Sequence, residues 1–378
     1  MRSRLMIVLL ALVASGALGV VTVRTQRASP AATDGRPPVA LQKIADGVYA
    51  AIRPEPPGLM FDANSIFIVN DADVIVVDTN ITPSSARASL AALMKLTNKP
   101  VTAVINTHWH DDHIIGNQVY HEVFPSAEII AQKTTMDDLP TIGAANRKQL
   151  VEMGPQMVTQ LQMSVDQRKS MTGNALTDEE RTSYLSDIAA ARRYFSEAPT
   201  MQVVMPTKLI DTSLTLTRGK RRIEVLFLGR AHTSADLVVW LPEERIAITG
   251  DLVVSPIPLI GSTSHPLEFG ATLEKLIAMK PAVMIPGHGP VMRDDKYVRQ
   301  EVALLASLKS QIEASVARGD SLAQTRRSVN LDDFKRQFAG ASQALGFIFD
   351  NYVTSSGVSA AYRDATKKGT GLFSTDRR

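Results

Sequence analysis

Three histidines and two aspartates occupy the six residues from His108 to His113. The segment reads His-Trp-His-Asp-Asp-His and follows directly on Thr107. Imidazole and carboxylate groups are common metal ligands, and this density of them is typical of a metal site. The alternative is a polar loop with incidental histidines. The cluster favours the first interpretation, so the sequence predicts a metal-binding loop here.

The residues around this loop predict how the ligands are presented. Val101 to Asn106 is short, apolar and β-branched, as expected of a buried strand. If strand geometry continues a little further, His108 and His110 project to the same side, because side chains alternate along a strand. Asp112 and His113 are adjacent, so they can bind one metal together only where the backbone turns out of the strand. Two ligand pairs of different geometry indicate two metal positions.

Three later fragments place a His or Asp at the end of an apolar strand. His232 follows one such strand, Asp251 ends a second in Gly-Asp, and His288 ends a third within Pro-Gly-His-Gly. Strand ends present chemistry in α/β scaffolds because a rigid sheet holds the loops there. The other two histidines are His121, interpreted as a surface residue of a helix, and His265. His265 is either a substrate contact or an ordinary loop residue.

This ordered set of fragments resembles the metallo-β-lactamase superfamily, with a glyoxalase II-like metal site, over about Ala40 to Met292. The resemblance implies an α+β fold, an αββα sandwich with a dinuclear site along one edge of the paired sheets. The implied ligands are His108, His110 and His232 for the first metal, Asp112, His113 and His288 for the second, and Asp251 as the bridge. Asp78 matches an early aspartate of the family that orients ligands.

The ligand types indicate the metal and the reaction. Five imidazoles and two carboxylates suit Zn(II), and also Fe(II) or Mn(II). We expect two zinc ions per chain, with iron or manganese as alternatives. Two cations about 3.5 to 4 Å apart can hold a water as hydroxide, lowering its pKa from about 15.7 toward 7. Asp112 is the expected catalytic residue, which orients this hydroxide and protonates the leaving group.

Asp251 narrows the substrate class in part. The best-known lactam-hydrolysing branches carry Cys or Ser at this position, whereas glyoxalase II, lactonases and many esterase-like members carry Asp. We therefore expect a metallo-hydrolase of a small ester, thioester, lactone or lactam. The alternatives are a mononuclear iron enzyme similar to persulfide dioxygenases, a β-lactamase that breaks down antibiotics, and a non-catalytic metal-binding protein. Cysteine is absent from the chain, which excludes Cys catalysis and disulfides.

An early loop, Arg53 to Phe61, is rich in proline and ends in an apolar tip. One interpretation is a plain proline-rich turn. The other is a flap over the site, similar to the one that covers lactams in the family. In the second case Met60 and Phe61 are candidate substrate contacts.

The N-terminus predicts export. Arg2 and Arg4 precede a mostly apolar, uncharged segment, Leu5 to Val23, which is typical of a signal peptide of a periplasmic or secreted protein. About 20 apolar residues also suffice to cross a bilayer, so an uncleaved inner-membrane anchor through residues 5–23 is the alternative. We assign residues 1–28 to this signal or anchor and residues 29–39 to a linker.

The remaining chain is expected to form one metallo-β-lactamase-like domain, residues 40–292, and a helical C-terminal extension, residues 293–378. A helical insertion is predicted at residues 137–199, where Thr177 to Glu180 has the form of a capping box for a helix through about Glu197. Four of the 41 basic residues lie in the first 28, which leaves 37 against 38 acidic residues. This nearly neutral body lacks the electrostatic footprint of a nucleic-acid binder, so we expect no nucleic-acid partner. The expected partner is a small-molecule substrate. The oligomeric state is undecided by the sequence.

Overall fold

A computed structural model describes residues 39–366 of the chain. The predicted signal or anchor segment and almost all of the predicted linker lie outside the described residues. The strands are β1 (Gln42–Ala45), β2 (Val48–Ala51), β3 (Ser65–Val69), β4 (Val74–Val77), β5 (Val101–Ile105), β6 (Glu128–Gln132), β7 (Lys208–Ile210), β8 (Ser213–Arg218), β9 (Arg221–Phe227), β10 (Leu237–Leu241), β11 (Ile246–Val254) and β12 (Val283–His288). The α-helices are α1 (Pro83–Leu96), α2 (Asp111–Ile114), α3 (Asn117–Val123), α4 (Thr135–Asp138), α5 (Ala144–Gln167), α6 (Asp178–Glu197), α7 (Pro266–Ala278), α8 (Lys296–Ala317), α9 (Leu322–Ser328), α10 (Asp332–Ala339), α11 (Gln343–Phe349) and α12 (Ser356–Thr366).

Within residues 39–366 the strands form a seven-stranded and a five-stranded sheet. The first has the order β1-β2-β3-β4-β5-β6-β7, antiparallel as far as β4 and parallel beyond it. The second has the order β12-β11-β10-β9-β8, in which β11 and β12 are parallel and the other pairs are antiparallel. The strands that carry Asp251 and His288 are therefore neighbours.

The two sheets pack face to face with helices on both outer faces. The core between the sheets is aliphatic, with Ile75 and Ile105 from the first sheet and Val239 and Ile248 from the second fully or almost fully buried. Helices α1 and α3 cover the outer face of the first sheet, while α7, α8 and the later helices cover the second. This arrangement confirms the predicted αββα sandwich with a helical C-terminal part.

One local prediction, the capping box of α6, is confirmed. Strands β3 and β4 form a hairpin that is joined around Asp71 and Asp73. Helix α6 begins at Asp178 with the expected reciprocal capping box between Thr177 and Glu180. Helix α7 begins at Pro266, which fits the preference for proline in the first turn of a helix.

One expectation about the ligand-bearing loop is wrong. Strand β5 ends at Ile105, so His108 and His110 do not lie on a continued strand. The backbone instead leaves the sheet, and His110 becomes the N-cap residue of the short helix α2. The turn expected for Asp112 and His113 is this helix, in which both residues lie.

Helices α5 and α6 lie between β6 and β7, and α8 to α12 follow β12. The expected domain boundaries stay predictions. Among residues 39–366, none of the helices has the length and apolar character needed to cross a membrane.

Candidate metal centre

The first ligand group consists of three imidazoles. Nε2 of His108 lies 3.1 Å from Nδ1 of His110, and Nε2 of His232 lies 3.0 Å from the same atom. His108 and His110 come from the loop between β5 and α2, and His232 from the loop after β9. These three nitrogens are close enough together to hold one metal ion.

The second group combines two imidazoles with carboxylates. Oδ2 of Asp112 lies 3.2 Å from Nε2 of His113 and 3.0 Å from Nε2 of His288. Asp251 joins this group through Oδ1, which lies 3.4 Å from both of these nitrogens. His113, His288 and Asp251 are buried, whereas the Asp112 side chain keeps 16% of its surface exposed. Asp112 is therefore the second-group ligand that solvent reaches most easily.

Asp251 also faces the first group. Its other oxygen, Oδ2, lies 3.5 Å from Nε2 of His232 and 3.9 Å from Nε2 of His108. One carboxylate thus offers one oxygen to each group of ligands. This is the geometry that a bridging ligand requires, although the assignment of each ligand to a metal stays a prediction.

The hydrogen-bond partners of the imidazoles fix their tautomers. Nδ1 of His232 donates to the carbonyl oxygen of Leu259 (2.9 Å), and Nδ1 of His288 donates to that of Asp62 (3.1 Å). Nδ1 of His113 faces Oδ2 of Asp78 at 2.8 Å. Since these oxygens only accept, each ring carries its proton on the side away from the site. Nε2 is therefore the nitrogen that each ring turns toward the site, where a metal ion can displace any proton on it.

Asp78 organises the base of the site. Its carboxylate accepts the backbone N–H (2.8 Å) and the hydroxyl (2.7 Å) of Thr107, as well as the proton of His113. The Thr107 hydroxyl lies 3.2 Å from Nδ1 of His108, so it can accept the His108 proton while it donates to Asp78. The expected supporting role of Asp78 fits this geometry.

Converging lone pairs and carboxylates make a site that suits a cation. Nε2 of His113, Nε2 of His288 and Oδ1 of Asp251 are buried and have no hydrogen-bond partner among residues 39–366. Buried polar atoms without partners are costly, and a metal ion would satisfy all three. The donor set of nitrogen and oxygen atoms fits zinc, iron or manganese.

The electrostatics of the two groups differ. Burial and the neighbouring His232 lower the pKa of His110 to about 3, so this imidazole is neutral and free to bind a metal. Burial opposes protonation of His288 too, but Asp251 and Asp112 outweigh it and raise its pKa to about 9. The carboxylates therefore stabilise positive charge at the second group. A bound cation would supply that charge in place of a proton.

The early loop contacts the second group. The ring of Phe61 lies edge-on to His288, with ring centroids 4.4 Å apart, and the ring centroid of Tyr352 lies 6.3 Å from that of Phe61. The hydroxyl of Tyr352 donates to the carbonyl oxygen of Gly58 at 2.7 Å. The loop is thus held over the site by a side chain from the C-terminal helices.

Helix α6 also contacts the early loop, residues 53–61. The Asp187 carboxylate accepts the backbone N–H groups of Leu59 and Met60, both at 2.9 Å. Met60 itself is buried in an apolar cluster with Ala191 and Tyr194 of α6. Of the two candidate substrate contacts on this loop, Phe61 is therefore the one that lies against a predicted ligand.

His265 and His121 lie in different settings. His265 is the N-cap residue of α7, and its Nδ1 lies 3.6 Å from Oδ1 of Asp364 in α12. Its role as a substrate contact stays a prediction. His121 is exposed on α3, as expected of a surface residue.

Sequence reasoning missed the side chains that connect the helical insertion to the ligand loop. Asp111, between two predicted ligands, accepts hydrogen bonds from Nε of Arg147 (2.9 Å) and from the hydroxyl of Tyr194 (3.0 Å). Arg147 lies on α5 and Tyr194 on α6. Burial raises the pKa of Asp111, although both partners oppose this. The presence of a second Asp beside Asp112 was the available signal, but its partners lie far away in sequence.

Comparison with known proteins decides the family. The model of the metallo-β-lactamase superfamily matches residues 60–288, a range that includes all the predicted ligands. The chain belongs to the metallo-β-lactamase superfamily. As a superfamily member with an Asp/His site, it fits a metal-binding hydrolase.

Two alkylsulfatases are among the proteins to which this chain is similar. A linear primary-alkylsulfatase from Pseudomonas sp. (strain ATCC 19151) is 28% identical over 234 residues, which are 59% of this chain and 41% of the alkylsulfatase. The chain thus spans about two fifths of that relative's length. The inverting sec-alkylsulfatase Pisa1 from Pseudomonas sp. has a TM-score of 0.55 and 15% identity over 86% of this chain and 50% of Pisa1.

A solved metallo-β-lactamase from Pontibacter korlensis is also similar. It covers 71% of this chain and 98% of its own length, with a TM-score of 0.47 and 16% identity. At 15% identity Pisa1 is similar in fold, and the reaction of this chain has to be argued from the site.

Proposed function

We propose that this protein is a metal-dependent hydrolase that binds two divalent cations, zinc in the first place, and cleaves a small ester, thioester, lactone or lactam. The observation that carries the proposal is the Asp251 carboxylate, which offers Oδ2 to the first ligand group and Oδ1 to the second. A carboxylate between two sets of buried lone pairs is the arrangement expected of a bridged metal pair.

Each part of the site has a chemical task in this reaction. Two bound cations would lower the pKa of a water between them and polarise the bond to be cleaved. Asp112 is the partly exposed carboxylate of the site, so it is placed to accept a proton from the attacking water and deliver it to the leaving group. The ring of Phe61, beside His288, supplies an apolar wall for the organic part of the substrate.

Alkyl sulfates are a second candidate substrate class. The similarity to a linear primary-alkylsulfatase supports this class. Hydrolysis of an alkyl sulfate by water gives an alcohol and hydrogen sulfate, and a cation pair can stabilise the negative charge on the sulfate oxygens. The apolar face of Phe61 suits an alkyl chain as well as an acyl group.

We also propose that the protein is exported, with residues 1–28 as a cleaved signal or an inner-membrane anchor. The basic residues and apolar run at the N-terminus support this. Fractionation of expressing cells, followed by N-terminal sequencing of the protein, tests it. Recovery from the cytoplasm with residues 1–28 intact would contradict it.

The first experiment is metal content, measured by plasma mass spectrometry on protein purified without chelator or added metal. We expect about two zinc ions per chain in the wild-type protein and about one in His232→Ala. The matched control is His121→Ala, at an exposed position on α3, which should keep both ions. Turnover is then measured on an aryl acetate, a thioester, a lactone, a cephalosporin and octyl sulfate. One iron per chain with oxygen consumption on a persulfide, or full metal retention in His232→Ala, would overturn the proposal.

A further inference from the structure

The loop between β11 and α7 passes beside the first ligand group. The hydroxyl oxygen of Thr263, in this loop, lies 3.1 Å from Nε2 of His110. His110 faces the two other imidazoles of its group with Nδ1. The ring of His110 therefore presents one nitrogen to the predicted metal position and the other to Thr263.

The direction of this hydrogen bond follows from the chemistry of imidazole. A ring that offers the Nδ1 lone pair to a cation carries its proton on Nε2, so His110 donates to Oγ1 of Thr263. The Thr263 hydroxyl in turn lies 3.4 Å from the carbonyl oxygen of His232, to which it can donate. One side chain thus connects the ring of one predicted ligand to the backbone of another.

A second residue holds Thr263 in place. Arg363, on α12, donates Nη1 to the carbonyl oxygen of Ser262 and Nη2 to that of Ser264. The guanidinium group therefore grips the backbone on both sides of Thr263. Asp364 accepts from Nε of Arg363 (3.3 Å) and from Nη2 (3.0 Å), which fixes the orientation of the group.

Backbone hydrogen bonds also hold the loop close to Thr263. The backbone N–H of Ser264 donates to Gly261 within the loop at 3.1 Å, and that of His265 donates to the carbonyl oxygen of Ala231 at 2.7 Å. The second bond ties the end of the loop to the residue before His232. Loops without secondary structure depend on such bonds to hold a fixed conformation.

We propose that Thr263 is a positioning residue that fixes the tautomer and ring orientation of His110, and that Arg363 acts through it by clamping the loop. The C-terminal helices thereby prepare the first group for its metal. This inference rests on the proposed metal-dependent function, but it concerns metal binding and can fail independently of any substrate assignment.

The test is cobalt(II) binding to the metal-free full-length protein, followed by visible absorption, which reports on the ligands of the ion. Thr263→Val removes the hydroxyl and keeps the shape, whereas Thr263→Ser keeps the hydroxyl. Partners of metal-bound histidines typically contribute about 10- to 100-fold to metal affinity. We expect Thr263→Val to weaken one cobalt-binding step by about this factor and to change the absorption spectrum of the cobalt bound in that step. Thr263→Ser should keep the wild-type affinity and spectrum.

Arg363→Lys and Arg363→Met extend the test to the clamp. Lysine cannot span both carbonyl groups, so we expect both variants to weaken the same binding step as Thr263→Val. Arg299→Met, at an exposed position on α8, and Thr182→Val, at an exposed position on α6, are the matched controls, with wild-type binding expected. Near-UV circular dichroism shows whether each variant is folded.

Two results would overturn the inference. One is wild-type cobalt affinity and spectrum in folded Thr263→Val. The other is equal weakening in Thr263→Val and Thr263→Ser, since the hydroxyl would then have no part. If the wild-type protein binds no cobalt, zinc, iron or manganese at all, the proposed function itself fails.

Discussion

Gly287 faces the carboxylate of Asp251 so closely that a methyl group on Gly287 would overlap Oδ1. The same methyl group would stand 2.9 Å from the backbone carbonyl carbon of Gly250. The residue before His288 therefore has to be glycine, because the carboxylate of Asp251, a predicted ligand, reaches it from the neighbouring strand. This explains in physical terms why the fragment reads Pro-Gly-His.

Gly287→Ala is expected to displace Asp251 and weaken metal binding at both groups. The backbone of β11 cannot move aside without breaking its pairing with β12, so the carboxylate has to rotate. Metal content after gel filtration measures the effect. Gly270→Ala, on α7, is the matched control, because its added methyl group would meet Cβ of Leu305 at 3.7 Å, an ordinary van der Waals contact. Full metal content in Gly287→Ala would contradict the prediction.

Asp112→Asn should leave a folded protein and lower kcat by about 100-fold or more, as expected on loss of proton transfer. The amide cannot accept a proton from water at neutral pH. Metal content is measured alongside kcat, so that loss of the ion is distinguished from loss of the base. Asp137→Asn, at an exposed position on α4, serves as the control. Unchanged turnover in Asp112→Asn would exclude this catalytic role.

Tyr194→Phe removes the hydroxyl that donates to Asp111. A lost hydrogen bond of this kind costs about 1 kcal/mol of stability, and the loop with His110 and Asp112 should become less ordered. Tyr184→Phe on the same helix removes the acceptor of the Met171 N–H and should cost a similar amount. Urea unfolding compares their stabilities. Only Tyr194→Phe should also lower metal affinity, and equal metal affinity in the two variants would refute the connection.

The buried carboxyl group of Asp187 should make the free energy of unfolding depend on pH. Burial raises its pKa from 3.8 to about 6, although the N–H groups of Leu59 and Met60 oppose this. Between about pH 4 and pH 6 the folded protein holds a proton that the unfolded chain has released. Its free energy of unfolding therefore falls as the pH rises through this window. At about 1.4 kcal/mol per pKa unit, the fall is at most about 3 kcal/mol.

Asp187→Asn should abolish this part of the pH dependence, because the amide does not titrate. Urea unfolding at intervals from pH 4 to pH 7 gives the difference between wild type and variant. Asp166→Asn, at an exposed position on α5, should retain the wild-type slope. Parallel curves for wild type and Asp187→Asn would show that the group is not protonated in this range.

The residues that form the two clusters could be found in the sequence because each belongs to a short fragment at a strand end, and their role as metal ligands stays a prediction. Their hydrogen-bond partners could not be predicted in the same way. His232 and His288 donate to backbone oxygens, of Leu259 and Asp62, and every residue carries such an oxygen. Thr263 is one threonine in a loop without periodicity, and only the fold brings it to His110.

The strand and helix predictions were also accurate where the local sequence decides the structure, and they failed where a contact with a distant residue decides it. The β-branched run from Val101 determined β5 well, but the chain leaves the sheet at Ile105 for reasons outside that run. Asp78 accepts the backbone N–H of Thr107, and this tertiary contact bends the chain before the histidines. Local propensity cannot report a contact with a residue so far away.

The grip of Arg363 on both sides of Thr263 also has a consequence for biosynthesis. The ribosome makes every predicted ligand, as far as His288, before it makes helix α12. A nascent chain that stops short of Arg363 would carry the complete set of metal-binding side chains while the loop beside His110 is still unclamped. Tight binding of an ion at the first group would therefore come only after helix α12 has been made and has docked.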